Sequence, residues 1–138
     1  MPKCCGGQDL VVIDTNVVVR LLTGDDIEQT ARARNLLATQ TVILIDTVAL
    51  EVEWVLRSAF LYPPADIIAA LRAFCALPQV ITENAARLSM AVDLLQSGFD
   101  FADALHVASV EPGNSFATFD AGLVKAAKRI DAVKVILP

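Results

Sequence analysis

The chain has 138 residues, 55% of them hydrophobic and 20% charged, with a net charge of −5. That length and apolar content suit one folded domain and exclude an intrinsically disordered chain. No apolar run reaches the roughly 18–20 residues of a membrane span, and the acidic balance argues against a broad basic surface for nonspecific nucleic-acid binding.

The opening "MPKCCGGQ", residues 1–8, reads as a flexible tail ahead of a single domain over 9–138. It has no apolar stretch of the kind a secretory signal needs, so a cytoplasmic location is expected. Cys4 and Cys5 lie in that tail, Cys75 is assigned to the core, and no cysteine–histidine spacing suggests zinc.

Residues 10–13, "LVVI", are β-branched and read as a buried strand. The strand stops at Asp14, "TN" follows, and the greasy run 17–22 reads as a helix leading the chain away. A lone carboxylate between two apolar runs is costly unless it gains hydrogen bonds, a cation or a metal. Residues 25–38 form a polar-faced helix that opens with acids, as a helix N-terminus prefers. A second strand, 42–45, ends at Asp46, which reads as a cap for the apolar helix 47–60.

On that helix Val48, Val52, Val55 and Ala59 fall in one stripe. Glu51 lies roughly 60–65° from its centre and Glu53 about twice as far. Glu51 is therefore expected to border the core face and Glu53 to be solvated. Leu50, Trp54 and Leu61 make a second apolar stripe, available to the next helix or to another subunit. "PPAD" ends this helix and starts the next, 65–76, with proline in its first turn.

A weaker strand at 80–81 precedes a helix over 83–96, which Gly98 stops. In "GFDFADALHVAS", Asp100 caps a helix over 101–110, and Asp103 is either a first-turn residue or an acid sent into a site. A strand at 115–118 leads to Asp120, before a helix over 121–130 that is basic towards its end. For Asp14 and Asp120 alike, the cap and the functional reading both stand. A strand at 133–137 closes the chain.

Strands alternating with helices predict an α/β domain with a mostly parallel sheet of four to five strands, and such sheets bind ligands at the strands' carboxyl ends. Several carboxylates gathered there would repel one another, and a hard divalent cation resolves that conflict. Bound Mg²⁺ or Mn²⁺ suits phosphodiester hydrolysis, since it activates water and neutralises phosphate charge.

At these residues the sequence resembles the PIN-domain ribonucleases, and more narrowly the VapC-type toxins of VapBC toxin–antitoxin systems. The resemblance is carried by "VVIDTNVVVRLL", "LEVEWVLR", "DFADALHVA" and "ATFDAGL", in the family's order and spacing. It implies a PIN-like three-layer fold with a central sheet flanked by helices. It also implies a metal-holding, catalytic set of Asp14, Glu51, Asp103 and Asp120, with Thr15, Asn16 and Thr118 as polar supports. The activity implied is cleavage of structured tRNA or rRNA with Mg²⁺ or Mn²⁺. The partners implied are a second copy in a homodimer and a small VapB-like antitoxin whose C-terminal segment lies across the site. The tail over 1–8 is longer than the family's usual entry into the first strand.

His106, three residues after Asp103, is assigned a structural role. Arg20, Arg57, Lys125, Lys128 and Arg129 are candidate phosphate contacts, with a solvated face as the plainer reading. An aspartyl-nucleophile phosphatase would want a second aspartate where Asn16 stands, and a receiver domain distributes its acids differently. The remaining alternatives are a PIN-fold nuclease of other RNA processing and a non-enzymatic partner protein using the Leu50/Trp54/Leu61 stripe.

Overall fold

A computed structural model describes residues 10–131 and 133–138, so the expectations for Cys4, Cys5 and the 1–8 tail lie outside the described residues. The chain divides into two units, Met1–Ala85 and Ala86–Pro138. In the first, β1 (Val11–Val12), β2 (Val42–Leu44) and β3 (Val80–Thr82) form a parallel sheet in that order. Val11 pairs with Val42 and Val42 with Val80. Val42 and Leu44 on the central strand are fully buried, as a parallel strand requires. Four helices accompany the sheet: α1 (Thr15–Thr23), α2 (Ile27–Thr39), α3 (Asp46–Ser58) and α4 (Pro64–Cys75). Helix α1 packs on α2 and α3, and α3 packs on α4.

The second unit holds α5 (Ala85–Gln96), α6 (Phe101–Ala108), β4 (Ser115–Ala117), α7 (Ala121–Ala127) and β5 (Lys134–Ile136). Strands β4 and β5 pair in parallel, with Phe116 opposite Val135. The α/β class and the parallel pairing are therefore as expected, and among the described residues the strands form one three-stranded and one two-stranded sheet.

Several element ends move because acids cap helices rather than extend them. Helix α2 starts at Ile27 because the Asp26 carboxylate accepts from Gln29 N–H at 2.9 Å. Asp46 is not the cap of α3. Ile45 holds that position without a side-chain bond, and Asp46 is a first-turn acid. Its backbone N–H donates to Glu83 Oε1 at 2.9 Å, so an acid directly after β3 does the capping. Helix α5 starts at Ala85, leaving Glu83 outside it, and Gly98 ends it with φ 100°. Helix α7 stops three residues short of expectation, with Ile130 N–H bonded to Ala127 O in a tightened last turn.

The largest correction falls on α3. Its buried residues are Ala49, Val52, Glu53 and Leu56. Glu53 is 3% exposed, whereas Glu51 is exposed, the reverse of the sequence reading. Arg57, one turn on, makes burial of Glu53 tolerable: Nε donates to Oε2 at 2.8 Å and Nη2 to Oε1 at 3.3 Å. The second stripe is also not one helix face. Leu50 is half-buried, Trp54 is exposed, and Leu61 lies beyond the helix end at φ 56°. Cys75 is half-buried, and burial pushes its thiol pKa up.

Candidate functional site

In the first unit the candidate residues sit where β1 gives way to α1. The ladder ends with Ile13 N–H bonded to Ile43 O, so Asp14 is the next residue past the sheet's carboxyl edge. Asp14 is the N-cap of α1, and its Oδ1 accepts from Thr15 N–H at 2.7 Å. Thr15 is buried, and its hydroxyl donates to Glu51 Oε1 at 2.5 Å. One threonine thus holds both acids, Asp14 through its amide and Glu51 through its hydroxyl. Each carboxylate keeps its second oxygen without a hydrogen bond among the described residues. Asn16 is exposed beside them.

The second unit brings Asp100, Asp103 and Asp120 to one cavity of about 640 Å³. Asp100 caps α6, its Oδ2 accepting from Ala102 N–H at 3.1 Å and Asp103 N–H at 3.4 Å. Asp120 caps α7, its Oδ1 accepting from Leu123 N–H at 3.1 Å. Thr118 steadies it, since its Oγ1 accepts from Asp120 N–H at 3.0 Å. Cap and cavity wall are thus compatible roles for Asp120. The Asp103 carboxylate accepts no hydrogen bond among the described residues. Its pKa is raised, first by burial and then by the like charges of Asp100 and Asp120, while His106 lowers it. Arg129 lines the same cavity.

His106 is exposed and stacks on Phe116 with ring centroids 6.0 Å apart, which suits a structural role. Of the other candidate phosphate contacts, Arg57 is tied to Glu53, and Arg20 pairs with Asp25 at 3.2 Å. Glu83 is not among the residues the sequence singles out, although, like Asp14, it is an acid straight after a strand.

The sequence profile of the PIN domain matches residues 11–129. The chain belongs to the PIN-domain family. PIN domains are generally nucleases and typically use divalent metals. No curated protein matches this PIN domain. Among solved structures, it is similar to a chain of the VapBC2 crystal structure from Rickettsia felis bound to a DNA fragment from their promoter. The identity there is 14% and the TM-score 0.39, over 94% of this chain and 98% of that one.

The donors present fit a hard divalent cation. All are carboxylate oxygens, and Asp103 stands among like charges that such an ion would neutralise. Among the described residues no group of three or more His, Cys, Asp or Glu is arranged to hold a metal. Mg²⁺ is commonly bound through one or two carboxylates, with waters and substrate phosphates completing the shell, so a full cage of protein ligands is not required. No helix is long and apolar enough to cross a membrane among the described residues.

Proposed function

We propose that the chain is a metal-dependent endoribonuclease that hydrolyses structured RNA, tRNA or rRNA, and acts as the VapC-type toxin of a toxin–antitoxin pair. The observation that carries the proposal is that Asp100, Asp103 and Asp120 line one cavity, in a chain of the PIN-domain family. An acid kept free of hydrogen bonds beside two other acids is unfavourable for folding alone and favourable for a cation. The toxin assignment rests on the four sequence motifs, read together in their order.

In this reading Asp14, Glu51, Asp103 and Asp120 are the catalytic, metal-holding acids. The ion is Mg²⁺ or Mn²⁺, which when bound supplies charge neutralisation at the phosphate and lowers the pKa of water. Thr15 orients Asp14 and Glu51 through one residue. Thr118 and the first turn of α7 fix Asp120, leaving its Oδ2 for the ligand. A VapB-like antitoxin covers the acids, the toxin acts as a homodimer, and the reaction takes place in the cytoplasm.

The test is cleavage of total tRNA and rRNA by purified protein with Mg²⁺, with Mn²⁺ and with chelator, alongside Asp14→Asn and Asp103→Asn. Metal-dependent cleavage that both substitutions abolish is expected. Cleavage by either variant at the wild-type rate would remove the assignment of its acid. No cleavage by the wild-type protein under any metal condition would favour the non-enzymatic alternative.

A further inference from the structure

An acidic nuclease must still hold a polyanion, and the candidate acids themselves repel one. We infer that the groove between α1 and α2 is the track on which an RNA strand's phosphodiester backbone lies. The inference rests on the ribonuclease reading and extends it by naming where the strand binds. The groove encloses about 340 Å³. Helix α1 contributes Asn16 and Arg20, one turn apart on one face, and α2 contributes Gln29 and Arg32. Val17, Ala33 and Leu36 complete its wall. The lining thus holds two guanidinium groups, two carboxamides and no acid, in a chain of net charge −5.

Arg20 is held in place rather than loose. Its Nε donates to Gln29 Oε1 at 2.8 Å and its Nη1 to Asp25 Oδ1 at 3.2 Å, so it bridges the two helices with donors to spare. Arg32 is exposed and has no ion-pair partner among the described residues. Asn16, which lines the groove, is the next residue in the chain after Thr15, the residue that holds Asp14 and Glu51. A strand engaged at Asp14 carries a phosphate at every nucleotide and so extends beyond the acids, where only a cationic surface retains it. Arginine and carboxamide side chains are among the usual phosphate donors.

The test uses full-length protein carrying Asp103→Asn, so that the strand survives, in metal-free buffer. Binding of a labelled mixed-sequence oligoribonucleotide is followed by fluorescence anisotropy across a salt series. Arg32→Ala is expected to weaken binding roughly two- to fivefold at low salt. It is also expected to flatten the slope of log K against log salt by about 0.7, one phosphate's share for a single strand. Arg32→Glu should weaken binding further. Arg34→Ala, an exposed charge on the same helix outside the groove, should leave it unchanged. Circular dichroism confirms that the variants fold.

RNA binding by Arg32→Glu equal to that of the parent overturns the inference. So does unchanged RNA binding combined with lost affinity for poly-glutamate, which assigns the groove to an acidic protein segment. Cleavage by protein with all four acids intact is measured separately. Arg32-dependent binding without cleavage would sink the nuclease reading and keep the groove, and metal-dependent cleavage with Arg32-independent binding would do the opposite.

Discussion

Arg57→Ala tests the ion pair within α3. It leaves the Glu53 carboxylate on a core face shared with Ala49, Val52 and Leu56, without its two guanidinium hydrogen bonds. Removing one partner of a fully buried pair costs about 3–5 kcal/mol, whereas exposed pairs are worth about 0.2–1 kcal/mol. Here the Glu53 side chain is 4% accessible and that of Arg57 49%, so the cost lies between those limits, at about 2 kcal/mol. In a chain of this size that corresponds to a fall of about 5–10 °C in melting temperature. Urea unfolding at neutral pH measures it, with a shifted midpoint and an unchanged slope. The double variant Glu53→Leu/Arg57→Met removes the charge together with its partner and should recover most of the loss, because leucine fits the apolar stripe. An Arg57→Ala variant within about 0.5 kcal/mol of wild type, or a double variant less stable than the single one, would refute the reasoning.

Thr15→Val removes the hydroxyl that positions Glu51 and keeps the amide that positions Asp14. It should raise the metal concentration for half-maximal cleavage by about 10–100-fold, as loss of a ligand's supporting hydrogen bond does, while Thr15→Ser stays near wild type. Equal metal dependence in the two variants would deny the hydroxyl that role. Asp103 has a folded-state pKa above its unfolded value, so its charged form is disfavoured in the fold. The penalty is absent below the unfolded pKa of about 3.9 and grows as pH rises through the folded one. Asp103→Asn should therefore be more stable than wild type at pH 7, with the gain closing below about pH 4. A gain that ignores pH contradicts the raised pKa that burial, and then the like charges of Asp100 and Asp120, give Asp103. Leu61 has φ 56° and is 80% exposed, so Leu61→Gly relieves backbone strain and loses little packing. The left-handed penalty of about 1–2 kcal/mol exceeds glycine's entropic cost, which leaves a net gain of about 0.5–1 kcal/mol in urea unfolding. A loss of stability would instead show that Leu61 contributes packing.

Features that depend on local order were legible in the sequence. Strands β1, β2, β3 and β5 are short runs rich in β-branched residues, and the acids that follow β1 and precede α6 and α7 lie within a few residues of the amides they cap. The exchange of Glu51 and Glu53 has a different origin. The stripe read from the helical period held Val48, Val52, Val55 and Ala59, but α3 packs on both α1 and α4. Its buried face centres on the small Ala49 and on Val52 and Leu56, about a sixth of a turn or more away. The clue that a carboxylate could sit there was the Arg57 one turn after Glu53, in "EWVLR".

The least legible contacts are those that join distant parts of the chain. Thr15 reaches Glu51 across 36 positions, and Glu83 reaches the amide of Asp46 across 37. Neither separation has a sequence period. Both follow from β1, β2 and β3 lying side by side in parallel, which brings the segments after each strand to one edge. The two contacts meet on α3. Glu83 fixes the start of α3, and α3 carries Glu51 to the Thr15 hydroxyl. The placement of an acid on a helix therefore depends on a cap supplied by a strand end that helix periodicity never samples.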